Sequence, residues 1–131
     1  IGEREDALAV VDWCRARWPE RPLYLGGFSF GGALAIAIAA RAAPRGLVTV
    51  APPVDRLPRD LNLPTCPWVL VHGDADEIVT PGPVLDWCAT LAAPPKIVLL
   101  KGVGHFFHGR LSDITQAVRD MFGPDFAARR R

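Results

Sequence analysis

The sequence holds no run approaching the ~18 consecutive apolar residues that a membrane-spanning helix needs, so no segment of it reads as a span. It also has almost no net charge, 15 Lys and Arg against 14 Asp and Glu. That balance creates no long-range field to draw in nucleic acid or an anionic membrane, and neither is expected as a partner. The one basic cluster, Arg129-Arg130-Arg131, reads as a solvated tail. Cysteine is scarce: Cys14, Cys66 and Cys88 are odd in number and lack Cys-x-x-Cys spacing, which argues against a disulfide framework and a zinc site. Free buried thiols in a reducing compartment are the plain interpretation, and a cytoplasmic location is expected. An initiating methionine is missing too. The chain opens on Ile1-Gly2-Glu3-Arg4 and runs straight into a helical pattern, so further sequence ahead of Ile1 is expected and the lack of a leader says nothing about export.

What is present is an ordinary globular composition, 50% hydrophobic and 22% charged over 131 residues. Residues 1–131 are expected to form a single domain. Leu8, Val11, Cys14 and Trp18 follow helical spacing, and Pro19 and Pro22 stop that helix. Leu23 to Leu25 is a short apolar run closed by Gly26-Gly27, read as a buried strand. The alanine-rich stretch Ala33 to Ala43 reads as a buried helix. Leu47 to Val50, Trp68 to Val71 and Ile97 to Leu100 read as further strands. Helices are expected around Val84, Cys88, Leu91 and Ala92, and around Leu111, Ile114, Val118 and Met121. Strands that are apolar throughout and alternate with helices predict an α/β fold, a parallel sheet of about four strands covered by helices on both faces.

Three loops in this pattern carry chemistry. Gly27-Phe28-Ser29-Phe30-Gly31 lies between a strand and a helix, the setting in which Gly-x-Ser-x-Gly acts as a nucleophile elbow. The reversal forces the serine into a strained backbone, with glycine two residues to either side to avoid collisions. The N–H of Phe30 then faces the place where an oxyanion would form. Val71-His72-Gly73-Asp74-Ala75-Asp76-Glu77 follows the third strand and offers Asp74 or Asp76 as a carboxylate to orient a histidine. Asp76 is favoured, with Asp74 read as a turn former bonding its own backbone and Glu77 as solvated. Lys101-Gly102-Val103-Gly104-His105-Phe106-Phe107-His108 follows the fourth strand, and His105, next to the hinge residue Gly104, is favoured over His108 as general base. His108 is expected to cap or contact the last helix, and His72 to be a structural hydrogen-bonding residue. Serine, acid and histidine then occur in the chain order Ser, Asp, His, each at a strand's carboxyl end, where sites in parallel sheets are built.

Gly-Phe-Ser-Phe-Gly-Gly (27–32), His-Gly-Asp-Ala-Asp-Glu-Ile-Val (72–79) and Gly-His-Phe-Phe-His-Gly (104–109) resemble the small, largely bacterial α/β-hydrolases related to dienelactone hydrolases and short-chain esterases. Residues 2–13 are similar to the helix that precedes the elbow there. The resemblance spans nearly the whole chain but only the C-terminal part of that family's fold. It implies Ser29 as nucleophile, His105 as base and Asp76 as orienting acid. It also implies about four strands ahead of residue 2 and a second oxyanion donor from a loop among them. A molecule beginning at Ile1 would leave the strand before Ser29 with an unpaired edge.

The expected reaction is acyl transfer to Ser29 from a small ester or related acyl substrate, then hydrolysis of the acyl-enzyme. It calls for no metal or organic cofactor. The loop Pro52–Pro67, with prolines at 52, 53, 58, 64 and 67, cannot form a helical cap, so an open site is expected, lined by Phe28, Phe30, Pro53 and Phe106. Two alternatives stand beside this: a non-catalytic binding module on the same fold, and a peptidase, thioesterase or acyltransferase sharing the acyl-enzyme. The sequence does not specify an oligomeric state.

Overall fold

A computed structural model describes residues 2–129. The basic cluster expected to be a solvated tail falls outside that description, Arg130 and Arg131 wholly and Arg129 by its side chain. Nine elements follow in order: α1 (Gly2–Arg17), β1 (Tyr24–Phe28), α2 (Phe30–Ala42), β2 (Gly46–Val50), a 3₁₀ turn (Val54–Arg56), β3 (Trp68–Gly73), α3 (Pro81–Ala89), β4 (Lys96–Leu100) and α4 (Leu111–Arg129). The four strands form one sheet, parallel throughout, in the order β1-β2-β3-β4.

Side chains alternate across the strands, and each face has its own cover. Leu47, Trp68 and Leu70 point to the α2 and α3 side, packing with Ile36, Ala39, Val84 and Cys88. Val50, Val69 and Val71 point the other way, under Ala117 and Phe122 of α4. Helix α1 packs outside α2 through Val11, Ile38 and Ala42. The alanines of α2 let this helix lie close against the sheet, and the buried Trp68 indole satisfies its N–H on Thr49 Oγ1 at 2.9 Å. The expected covered parallel sheet is what forms.

Several expectations shift in detail. The first strand does not close at Gly26-Gly27 but runs through both to Phe28, because its partner β2 continues alongside to Val50. Helix α2 begins at Phe30, immediately after the serine, rather than at Ala33. Strand β3 extends through His72 to Gly73, so His72 lies inside the sheet. Strand β4 is apolar but not buried: Ile97 and Leu99 are exposed, since β4 is an edge strand and the described helices leave one of its faces open. Strand β1 is the other edge, paired on one side with β2 among the described residues. Helix α3 ends at Ala89, before Leu91, and α4 continues beyond Met121, through Pro124.

Candidate active site

The carboxyl ends of β1, β3 and β4 bring the three loops together. Ser29 sits between β1 and α2 at φ 54°, ψ −121°, a conformation that costs a residue with a side chain roughly 1–3 kcal/mol. The surroundings hold it there. Ser29 N–H donates to Val50 O at 2.8 Å, and Ser29 O accepts the N–H groups of Gly32 and Ala33 at 2.9 and 3.1 Å. Gly27 is needed for the turn, since a Cβ there would lie 2.1 Å from Gly31 O. The expectation of a matching need at Gly31 is corrected: a Cβ at Gly31 would meet nothing within 4 Å, and it is at Gly32 that a Cβ would be crowded, 3.1 Å from Gly27 O and 3.3 Å from Pro52 Cβ. Phe30, as the first residue of α2, has no partner for its N–H within the helix. That N–H sits at the positive end of the helix dipole.

Asp76 and His105 are buried, 3% and 7% exposed, within largely exposed loops. One Asp76 oxygen, Oδ1, accepts the N–H groups of Ile78 and Val79 at 2.9 and 2.8 Å. The other, Oδ2, lies 2.8 Å from His105 Nδ1. A carboxylate only accepts, so Nδ1 carries the proton and Nε2 is left bare. Nε2 lies 3.1 Å from Ser29 Oγ and is the acceptor for the serine hydroxyl. Ser29, His105 and Asp76, named from the sequence, thus form one hydrogen-bonded chain.

The other residues of these loops depart from expectation. Asp74 does not bond its own backbone; its Oδ1 accepts the N–H of Gly102 at 2.7 Å, tying the acid loop to the histidine loop. The local turn-forming role belongs to Asp76 itself, through Oδ1. Gly104 has no left-handed backbone; the positive φ values in this loop fall at Gly102, Phe107 and Gly109, 75°, 53° and 69°. Gly73 allows the loops to close on each other, since a Cβ there would meet Val103 O at 2.0 Å. His108 is exposed, its ring 6.1 Å from that of Phe106, and it caps nothing among the described residues. Gly73 and the Asp74–Gly102 bond were not foreseen. Only the glycine next to the acidic pair hinted at them.

A cavity of about 460 Å³ opens beside Ser29, walled by Phe30, Pro53, Val54, Val79 and Val84, with Arg56 among its polar lining residues. Phe28 and Phe106 are not part of it. They lie against His105, each ring centroid 5.0 Å from the imidazole. The lining residues expected together therefore fall into two groups, Phe30 and Pro53 at the cavity and Phe28 and Phe106 against His105. Among the described residues no group of three or more His, Cys, Asp or Glu is disposed to hold a metal ion, and no helix is long and apolar enough to cross a membrane.

An elbow serine, a histidine and a buried carboxylate at one end of a parallel sheet define the class, and comparison with known proteins agrees. Residues 4–63 match the family model described as serine aminopeptidase, S33. A lidless α/β serine hydrolase from Xanthomonas campestris superposes with a TM-score of 0.87 at 39% identity, over 95% of this chain and 57% of that one. An α/β serine hydrolase homologue from Coxiella burnetii gives 0.84 at 34% identity, over 92% and 59%. A dienelactone hydrolase from Anabaena variabilis shares the fold, with a TM-score of 0.74 at 24% identity over 86% and 54%. No protein of curated function matches. The chain has part of the α/β-hydrolase fold and spans somewhat under three fifths of the first two structures it matches.

Proposed function

We propose that the chain carries the catalytic end of a serine hydrolase that cleaves a small ester or related acyl substrate through an acyl-enzyme. The observation that carries this is the chain from Ser29 Oγ to His105 Nε2 at 3.1 Å and from His105 Nδ1 to Asp76 Oδ2 at 2.8 Å. As Ser29 Oγ attacks the carbonyl, its proton passes to His105 Nε2, and the imidazolium is stabilised by Asp76. The Phe30 N–H and the start of α2 support the developing oxyanion. The imidazolium then protonates the leaving group. A water deprotonated by His105 attacks the acyl-enzyme and releases the acid.

The leaving group has to lie within reach of His105 Nε2, the side on which Phe28 and Phe106 stand. The acyl group is left with the cavity between Pro53, Val54, Val79 and Val84. The reading takes the site as lidless, like that described for the Xanthomonas relative, and as working without metal or organic cofactor in the cytoplasm. The test is rapid-quench mass spectrometry after mixing with short p-nitrophenyl esters. An acyl group transiently held on Ser29 is expected; turnover with no acyl-Ser29 at any time would overturn the mechanism.

A further inference from the structure

The chain Ser29–His105–Asp76 makes no use of His72, yet this imidazole is fully buried beside it. Its Nε2 lies 2.7 Å from the carbonyl oxygen of Val79 and 3.5 Å from Asp76 Oδ2. Its Nδ1 meets no hydrogen-bond partner among the described residues. A carbonyl only accepts, so Nε2 carries the proton and donates it. Nδ1 is then a bare acceptor shut away from a partner, which costs free energy that leucine at the same place would not incur. The imidazole has to return something through Nε2.

What it returns is a grip on the acid loop. The Val79 backbone is held on both sides of its Cα: its N–H donates to Asp76 Oδ1 at 2.8 Å and its carbonyl accepts from His72. The segment around it is otherwise loosely enclosed, with Asp74, Ala75, Glu77, Ile78 and Thr80 exposed. His72, anchored within β3 opposite Leu99 of β4, is a rigid point from which that segment is held.

We propose that His72 is a positioning residue: through the Val79 peptide it fixes Asp76, so that Oδ2 stays on His105 Nδ1. This rests on the reading of Ser29, His105 and Asp76 as a catalytic chain. The test compares wild type with His72→Leu, His72→Asn and His72→Gln, each checked for folding by circular dichroism. One readout is the deshielded His105 Nδ1 proton in NMR; the other is the labelling of Ser29 by a fluorophosphonate, resolved into reagent binding and bond formation. Glutamine reaches the Nε2 position with an N–H donor, whereas asparagine stops at the Nδ1 position.

With His72→Leu and His72→Asn the Nδ1 proton signal is expected to broaden or vanish. The bond-forming rate should drop about tenfold or more, as small misplacements at reacting centres do, with reagent binding little changed. His72→Gln should stay within about threefold of wild type, since it keeps the donor. Folded variants that all keep the signal and the wild-type rate would overturn the proposal while leaving the hydrolase reading intact. If His72→Leu does not fold, equal behaviour of the Asn and Gln variants overturns it. A wild-type Ser29 that never labels, with an Nδ1 signal that still depends on the residue at 72, would sink the hydrolase reading and sustain the positioning role.

Discussion

The elbow and the pair of loops facing it hold their site residues by opposite means. Ser29 is fixed mostly locally, in a strained backbone, by the close approach of Gly27 to Gly31 and bonds to the first turn of α2, with one bond outward to Val50 of β2. Asp76 and His105 are fixed across sequence. Asp74 and Ala75 donate their N–H groups to Leu100 O and Val103 O, each at 3.0 Å, and Asp74 Oδ1 accepts from Gly102. Ser29 is therefore held in a strained backbone chiefly by its own turn, while Asp76 and His105 are held by loops 28 or 29 positions apart in sequence gripping one another. Damage to the first should appear as lost folding. Damage to the second should appear as lost activity in a folded chain.

The largest effect that would sharpen this contrast lies at the acid. Asp76→Asn is expected to slow fluorophosphonate labelling of Ser29 about 10³–10⁴-fold, because an amide in place of the carboxylate favours the wrong His105 tautomer. The fold should survive. Asp74→Ala, which removes only the tie to Gly102, is expected to cost about threefold in rate and ~1 kcal/mol in a urea melt. A loss at Asp74 as large as that at Asp76 would mean that the inter-loop bond, rather than the carboxylate on His105, limits the chemistry.

Next in size is the elbow. Gly27→Ala drives a methyl into the Gly31 carbonyl and is expected to cost roughly 1–3 kcal/mol or prevent folding, whereas Gly31→Ala meets open space and should stay within about 1 kcal/mol. Equal losses at both positions in denaturant melts would break the account of a one-sided close approach. A separate readout, which involves no substitution, tests the support beneath the acid loop. Cys88 packs beside Val84 in α3, and burial pushes its thiol up to about 11 from an ordinary 9.0. Since the folded value is raised, the thiolate is scarce at pH 8. Alkylation of Cys88 should therefore be roughly 100-fold slower in the native chain than in denaturant. Rapid native alkylation would show that α3 does not stay docked.

The same contrast explains what could be read from the sequence. The elbow was legible because Gly27 and Ser29 answer a demand within one turn, glycine for space and serine at the bend; the close approach at Gly32, partly against Pro52, was not. Asp76 and His105, which come within hydrogen-bonding distance of each other, were legible as residues at strand ends, and the α/β architecture as alternating apolar runs and helical patterns. What the loops do to each other was not. Asp74 and Asp76 sit two positions apart, and which one turns its backbone and which one reaches away depends on Gly102, a partner 28 positions on. Gly104 precedes His105 and reads as the hinge, yet the left-handed backbone falls at Gly102, Phe107 and Gly109, on either side of the histidine rather than next to it. The apolar run at Ile97 to Leu100 fixed a strand but not its neighbours, and Ile97 and Leu99 are exposed because the described helices leave that face of β4 open. Periodicity describes an element; what covers it is decided by parts of the chain it never touches in sequence.

The measurement that tests the central claim most directly is peptide mapping by mass spectrometry after fluorophosphonate treatment of wild type, Ser29→Ala and His105→Ala. A phosphonyl adduct on Ser29 is predicted in wild type. It should be absent from Ser29→Ala and slowed by about 10³-fold or more in His105→Ala. An adduct on a different residue, or one formed on Ser29 as fast without His105 as with it, would contradict the hydrogen-bonded chain as the source of the serine's reactivity.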